Sequence, residues 1–202
     1  ASIIIIAYSY FFVKESIPQN IRESVFNVVS ILTGTGFTTE DFGSWGNFSS
    51  FFFIILMFVG GCSASTTCGI KIFRFQILNL FIKKQIKQII YPNGVFPMKY
   101  RGEAIGDTLL TSVLTFVFLY IFIFFILTAL LSLSGLDFVT AISAAATSLS
   151  NVGPGLGEVI GPNGSFKYLP DLTKWYLSFG MLLGRLEFFT VLVLFLPSFW
   201  RS

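Results

Sequence analysis

The 202-residue sequence has no histidine and only two cysteines, Cys62 and Cys68. Without imidazole there is no Cys/His zinc site and no Cys/His catalytic pair. Count alone allows a disulfide, but the small-residue, membrane-embedded setting of the two thiols favours their staying free. Charge is also scarce. Only 11% of residues are charged and the formal net charge is +3, too little and too local for a nucleic-acid partner. The opening Ala1-Ser2-Ile3-Ile4-Ile5-Ile6 has no basic region ahead of its apolar run, which argues against a signal peptide. The expectation is a chain cut inside a helix, with sequence missing before it.

Hydrophobic residues make up 54% of the chain and aromatics 18%, with a mean hydropathy of +0.80. A soluble domain needs far less to fill its core. Residues 108–136 contain no charge, and 109–133 alone exceed the roughly 20 residues that cross the hydrocarbon as a helix. The class is an all-α membrane protein.

One stretch stands out. Thr33-Gly34-Thr35-Gly36-Phe37 ends a short amphipathic run, about 22–32, in which Val25, Phe26, Val28, Val29 and Leu32 fall at helical spacing. The run is too short to span, so it should enter the membrane and stop, with the negative pole of its dipole beyond Leu32. Glycine alternating with threonine lets several carbonyl oxygens point to one side and replace the water shell of a bare cation. Taken alone, the same residues allow an interfacial helix followed by a glycine turn. A second copy follows at a constant offset of 117, Gly36 with Gly153: Ser150-Asn151-Val152-Gly153-Pro154 closes a run of about 138–149. Residues 143–151 are small and polar, and Gly153-Pro154-Gly155 cannot continue a helix.

Between the copies, apolar residues 51–59 lead into Gly60-Gly61-Cys62-Ser63-Ala64-Ser65-Thr66-Thr67-Cys68-Gly69. Irregular backbone at membrane depth survives only inside protein or beside a water-filled cavity, so the helix of about 45–90 should break here, against the pore. A GxxxG-type packing face is the alternative. Lys71, Arg74, Lys83, Lys84, Lys87, Lys99 and Arg101 follow with no acid until Glu103, and Pro92, Gly94 and Pro97 break the linker 91–107. Such a cluster marks the cytoplasmic side; lipid headgroups or a soluble partner would use Lys83, Lys84 and Lys87 equally well. The opposite side carries Glu15, Glu23, Glu40, Asp41, Asp137, Glu158 and Asp171 against four bases, an acidic vestibule that would gather cations.

The last helix, about 173–197, contains Arg185 and Glu187. An arginine near mid-span costs about 3 kcal/mol on insertion scales and needs a partner. Aligning the second helices sets Gly60-Gly61 opposite Gly184-Arg185, so the guanidinium can reach the freed carbonyls of 60–69. Glu187, two residues on, faces away from Arg185.

Helix, short helix, glycine loop and helix, twice over, is the plan of a potassium-channel-like pore. Val59-Gly60-Gly61-Cys62-Ser63-Ala64-Ser65-Thr66-Thr67-Cys68-Gly69-Ile70-Lys71-Ile72-Phe73-Arg74-Phe75 and Gly184-Arg185-Leu186-Glu187-Phe188-Phe189-Thr190-Val191-Leu192 resemble the third and fourth repeats of the Trk/Ktr/HKT potassium-transporter superfamily. The closing Leu196-Pro197-Ser198-Phe199-Trp200-Arg201 is similar to the end of the bacterial Trk membrane subunit.

The resemblance implies a multi-pass subunit of the bacterial inner membrane. Residues 1–90 would form the third repeat, 91–107 a cytoplasmic linker and 108–202 the fourth repeat. It implies a missing N-terminal half with the first two repeats, a homodimer, and a cytoplasmic nucleotide-binding regulatory subunit. Gly36 and Gly153 fall on the filter glycines; the carbonyls of Thr33, Gly34, Thr35, Ser150, Asn151 and Val152 would line the K+ sites. The gate would be Gly60, Gly61, Cys62, Ser63, Ala64, Ser65, Thr66, Thr67, Cys68 and Gly69, held by Arg185. Thr67 and Cys68 depart from the family's smaller residues, and Phe37 and Pro154 from the tyrosine of the strict channel signature. The expected function is potassium uptake, with K+ as cargo and no cofactor. Mixed Na+/K+ uptake and a non-conducting scaffold are the alternatives. A membrane enzyme has no histidine or lysine poised beside the hydroxyls of 63–67 to activate a nucleophile.

Overall fold

The computed structural model describes residues 1–12, 17–62, 65, 67–100, 102–186, 188–195 and 197–201. Helices α1 (Ser2–Phe12), α2 (Ile17–Thr33), α3 (Asn47–Phe58) and α4 (Ile72–Ile90) come first. A hairpin of β1 (Lys99–Tyr100) and β2 (Glu103–Ala104) leads to α5 (Asp107–Leu133), α6 (Phe138–Ser150), α7 (Asp171–Leu186) and α8 (Phe188–Leu194). Among the described residues, α5 is the helix long and apolar enough to cross a membrane by itself.

Helix α5 shows how composition positions the rest. Leu110, Val113, Phe116, Tyr120, Phe124, Leu127 and Leu131 recur every three or four residues and are buried, while Phe118, Phe122 and Phe125 point outward. A helix apolar on all sides and buried on one stripe suits a hydrocarbon solvent. The inner stripe receives α6, whose Ala144, Ala145 and Ala146 are fully buried. Side chains this small let α6 sit between α5 and α7 and also touch α3. Phe58 at the end of α3 sets its ring edge-on to Tyr120 and Phe124, at 5.8 and 4.9 Å between centroids. A second, smaller core joins Ile77 of α4 to Met98, Leu110 and Val113.

Several elements differ from expectation. Helix α2 starts at Ile17, five residues before 22, with Pro18 in its first turn, where a missing N–H breaks no helical bond. Its buried face is mixed: Asn20, Glu23, Ser24, Asn27 and Ser30 are turned in beside Val28 and Ile31, while Val25, Phe26 and Val29 are exposed. Glu23, expected on the outer acidic face, is 7% exposed and accepts a 2.9 Å hydrogen bond from Gln19. The linker folds into a hairpin because Gly102, at φ 91°, supplies the turn. The last helix is described as α7 and α8, on either side of position 187, and ends at Leu194, short of 197, where Pro197 opens a 3-10 turn, Pro197–Arg201.

Candidate ion pathway and intramembrane loop

The turns after α2 and α6 share two backbone hydrogen bonds. After α2, Gly34 turns left-handed at φ 68°; its N–H donates to Ile31 O at 3.1 Å, and Thr35 N–H to Ser30 O at 3.0 Å. After α6, Asn151 turns left-handed at φ 51°; its N–H donates to Ser148 O at 3.2 Å, and Val152 N–H to Thr147 O at 3.1 Å. Each pair is separated by the same 117 positions, so both helices end on the same left-handed cap. Gly36 and Gly153 follow at φ 77° and 118°. Both conformations are closed to most side chains.

Each short helix also holds the chain that returns from its loop. Asn27 Oδ1 accepts from Thr39 N–H at 3.2 Å. In the second copy the Ser143 hydroxyl accepts from Leu156 N–H at 2.9 Å and donates to Leu156 O at 3.1 Å. Ser150, the last residue of α6, shares a buried 2.7 Å hydrogen bond with Tyr120 of α5, and Asn151 Nδ2 donates to Met181 O of α7 at 3.0 Å. On the first copy, Thr33 and Thr35 share a 2.6 Å hydroxyl contact. The two loops then meet: a Cβ at Gly36 would collide with Val152 O, and one at Gly153 would lie 3.7 Å from Gly36 Cα. Two helix C-termini thus end around one spot, which favours a cation there.

After Phe58 the chain leaves the helix, and the described residues at the two ends of the 60–69 segment close on each other. At the neck, Val59 pairs with Ile70; Gly60 N–H donates to Ile70 O and Ile70 N–H to Phe58 O, both at 3.0 Å. Further in, Gly61 N–H donates to Thr67 Oγ1 at 2.8 Å, and the Ser65 hydroxyl donates to Cys62 O at 2.8 Å. These bonds give part of the backbone freed from the helix partners inside the loop, as an apolar solvent requires. Cys62 and Cys68 are free thiols. Ser63, Ala64 and Thr66 lie outside the described residues, as does Glu187.

The loop sits beneath the first glycine turn, with Thr67 Cγ2 3.8 Å from where a Gly34 Cβ would stand. Arg185 reaches it from α7, Nη1 donating to Cys68 Sγ at 3.5 Å. Below lies a polar cavity of about 190 Å³ lined by Thr67, Cys68, Lys71, Arg74, Gly184 and Arg185. Sequence reasoning used Lys71 and Arg74 only for topology. Their signal was available: Lys71 and Arg74 stand two and five residues after Gly69, at the start of α4, beside the break. The Arg74 guanidinium lies over the Phe116 ring, 3.6 Å from its centroid. Tyr120 was missed as well, being one aromatic among many in α5.

A family model described as TrkH: Cation transport protein matches residues 4–202. The chain belongs to the TrkH family. It is 46% identical over 202 residues to the Trk system potassium uptake protein TrkI of Halomonas elongata, covering 99% of this chain and 41% of that protein. It is 35% identical over 190 residues to the Trk system potassium uptake protein TrkH of Escherichia coli K12, covering 94% and 39%. The crystal structure of the potassium transporter TrkH from Vibrio parahaemolyticus superposes with a TM-score of 0.90 at 34% identity, over 98% of this chain and 42% of that one. The chain therefore spans about two fifths of the length of these relatives. TrkH-family proteins are membrane transporters, not enzymes, and the two-repeat helical plan agrees with the solved relative.

Proposed function

We propose that this chain is the C-terminal part of a bacterial inner-membrane potassium uptake protein. In this reading 1–90 and 108–202 are its third and fourth pore repeats, joined by a cytoplasmic linker at 91–107. Dehydrated K+ passes between carbonyls of Thr33, Gly34, Thr35 and Gly36 on one side and Ser150, Asn151, Val152 and Gly153 on the other. The segment 60–69, held by Arg185, opens or closes the path below. Two further repeats complete the ring, two such subunits form a homodimer, and a cytoplasmic nucleotide-binding subunit regulates them.

The observation that carries this reading is the meeting of two identically capped glycine loops at Gly36 and Val152. The names of the TrkI and TrkH relatives supply the ion. The test is potassium-dependent growth and rubidium uptake in cells lacking their own uptake systems, with the full-length parent protein. Gly36→Ser and Gly153→Ser should weaken the preference for K+ over Na+, and Arg185→Ala should raise flux. Unchanged uptake in all three would leave the chain a scaffold.

A further inference from the structure

Helix α4 has two unlike halves. Up to Phe81 it is packed, with Ile77 in the second core and Phe73, Leu78 and Phe81 against it. From Ile82 to Ile90, about 13 Å of helix, no residue is buried. Ile82, Ile86 and Ile89 are 56%, 53% and 79% exposed and share one face by their spacing. Phe75, seven residues before Ile82, extends that stripe back along the packed half. Lys83 and Lys87, four apart, run along its flank with Lys84 beside them. No acidic residue occurs from 42 to 102, so nothing in this stretch offsets their charge.

Isoleucine and lysine presented side by side fit a surface that is apolar within and anionic at its edge. An acidic protein surface would match the lysines and leave the isoleucine stripe in water. Lys83 also borders a cleft of about 350 Å³ with Gln76, Asn79 and Tyr100, where the tyrosine hydroxyl donates to Gln76 Oε1 at 2.9 Å. We propose that residues 82–90 form an interfacial helix that binds anionic phospholipid. The isoleucines enter the acyl boundary, Lys83, Lys84 and Lys87 engage headgroup phosphates, and one headgroup seats in the cleft beside Lys83 and Tyr100.

The test uses the full-length parent protein in vesicles of phosphatidylcholine alone or mixed with phosphatidylglycerol. Each lysine near an anionic leaflet strengthens attraction about five-fold. Native mass spectrometry should show retention of phosphatidylglycerol over phosphatidylcholine by about ten-fold or more for the wild type. That preference should disappear in K83Q/K84Q/K87Q and persist in K83R/K84R/K87R, which keeps the charge. Trypsin should cut after Lys83, Lys84 and Lys87 in phosphatidylcholine vesicles and be slowed by phosphatidylglycerol. No lipid preference in the wild type, or its persistence in the glutamine variant, overturns the proposal. So does equal resistance to trypsin in both vesicles, which would mean that protein covers this face. Neither readout depends on ion flux, so the outcome is separable from that of the uptake experiment.

Discussion

The Tyr120 hydroxyl lies 2.7 Å from that of Ser150, a buried hydrogen bond between the middle of α5 and the last residue of α6. The ring is itself packed edge-on against Phe58 and Phe188, so a phenylalanine in its place would keep those contacts and lose the bond alone. Tyr120→Phe should lower stability by about 1 kcal/mol. Thermal unfolding in detergent measures this, and a larger loss in Ser150→Ala than in Tyr120→Phe would show that Ser150 matters for more than this bond.

Gly36 and Gly153 should not tolerate alanine equally. Both have positive φ, 77° and 118°, which costs an L-residue about 1–2 kcal/mol. Gly36 alone meets backbone as well, since its Cβ would strike Val152 O, while at Gly153 the nearest atom is 3.7 Å away. Gly36→Ala should therefore lower the unfolding temperature and ion discrimination more than Gly153→Ala. Equal effects would mean that the two loops part easily.

Gly184 sets the separation of α6 and α7. A Cβ there would run into the Leu149 carbonyl, and the helices would have to separate. At Gly180 the nearest obstacles are Leu127 Cδ2 at 2.8 Å and Ser148 Oγ at 3.0 Å, side-chain atoms that can turn away. Gly184→Ala should cost about 1–3 kcal/mol and Gly180→Ala less, read from the same unfolding curves.

Asp137 caps α6, its carboxylate accepting from Thr140 N–H at 3.1 Å. The Thr140 side chain, and then the backbone N–H groups of Thr140 and Val139, hold its pKa below the ordinary aspartate value. A depressed pKa means stabilisation that is complete above the unfolded value, near pH 4, and is lost as pH falls through the lower folded value. Asp137→Asn keeps a good cap and should remove that acid-side dependence; Asp137→Ala should cost about 1 kcal/mol at neutral pH. Unfolding temperatures at pH 7 and pH 3 separate the two effects.

What the sequence revealed follows from which forces act locally. The break at 60–69 and the stop after α6 were readable because glycine, proline and small hydroxyl residues act on their own backbone. The span of α5 was readable from the absence of charge. The burial of Asn20, Glu23, Ser24, Asn27 and Ser30 was not, because hydrophobic spacing says which residues are alike and not what each face meets. The start of α2 at Ile17 was not readable for a related reason, since a proline such as Pro18 breaks a helix at an interior position and starts one in a first turn. The cavity that gathers Lys71, Arg74 and Arg185 depends on three segments meeting, of which the sequence showed only the nearness of the two bases to the break.

Gly34 and Asn151 occupy equivalent left-handed corners, yet they lean on different neighbours. Asn151 is bolted to α7 through Met181 O, whereas Gly34 faces the Thr67 methyl of the loop below it. One glycine loop rests on a strut and the other on a cushion. The first loop thus stands directly on the intramembrane segment, whereas the second is tied to it at one remove, through α7 and Arg185.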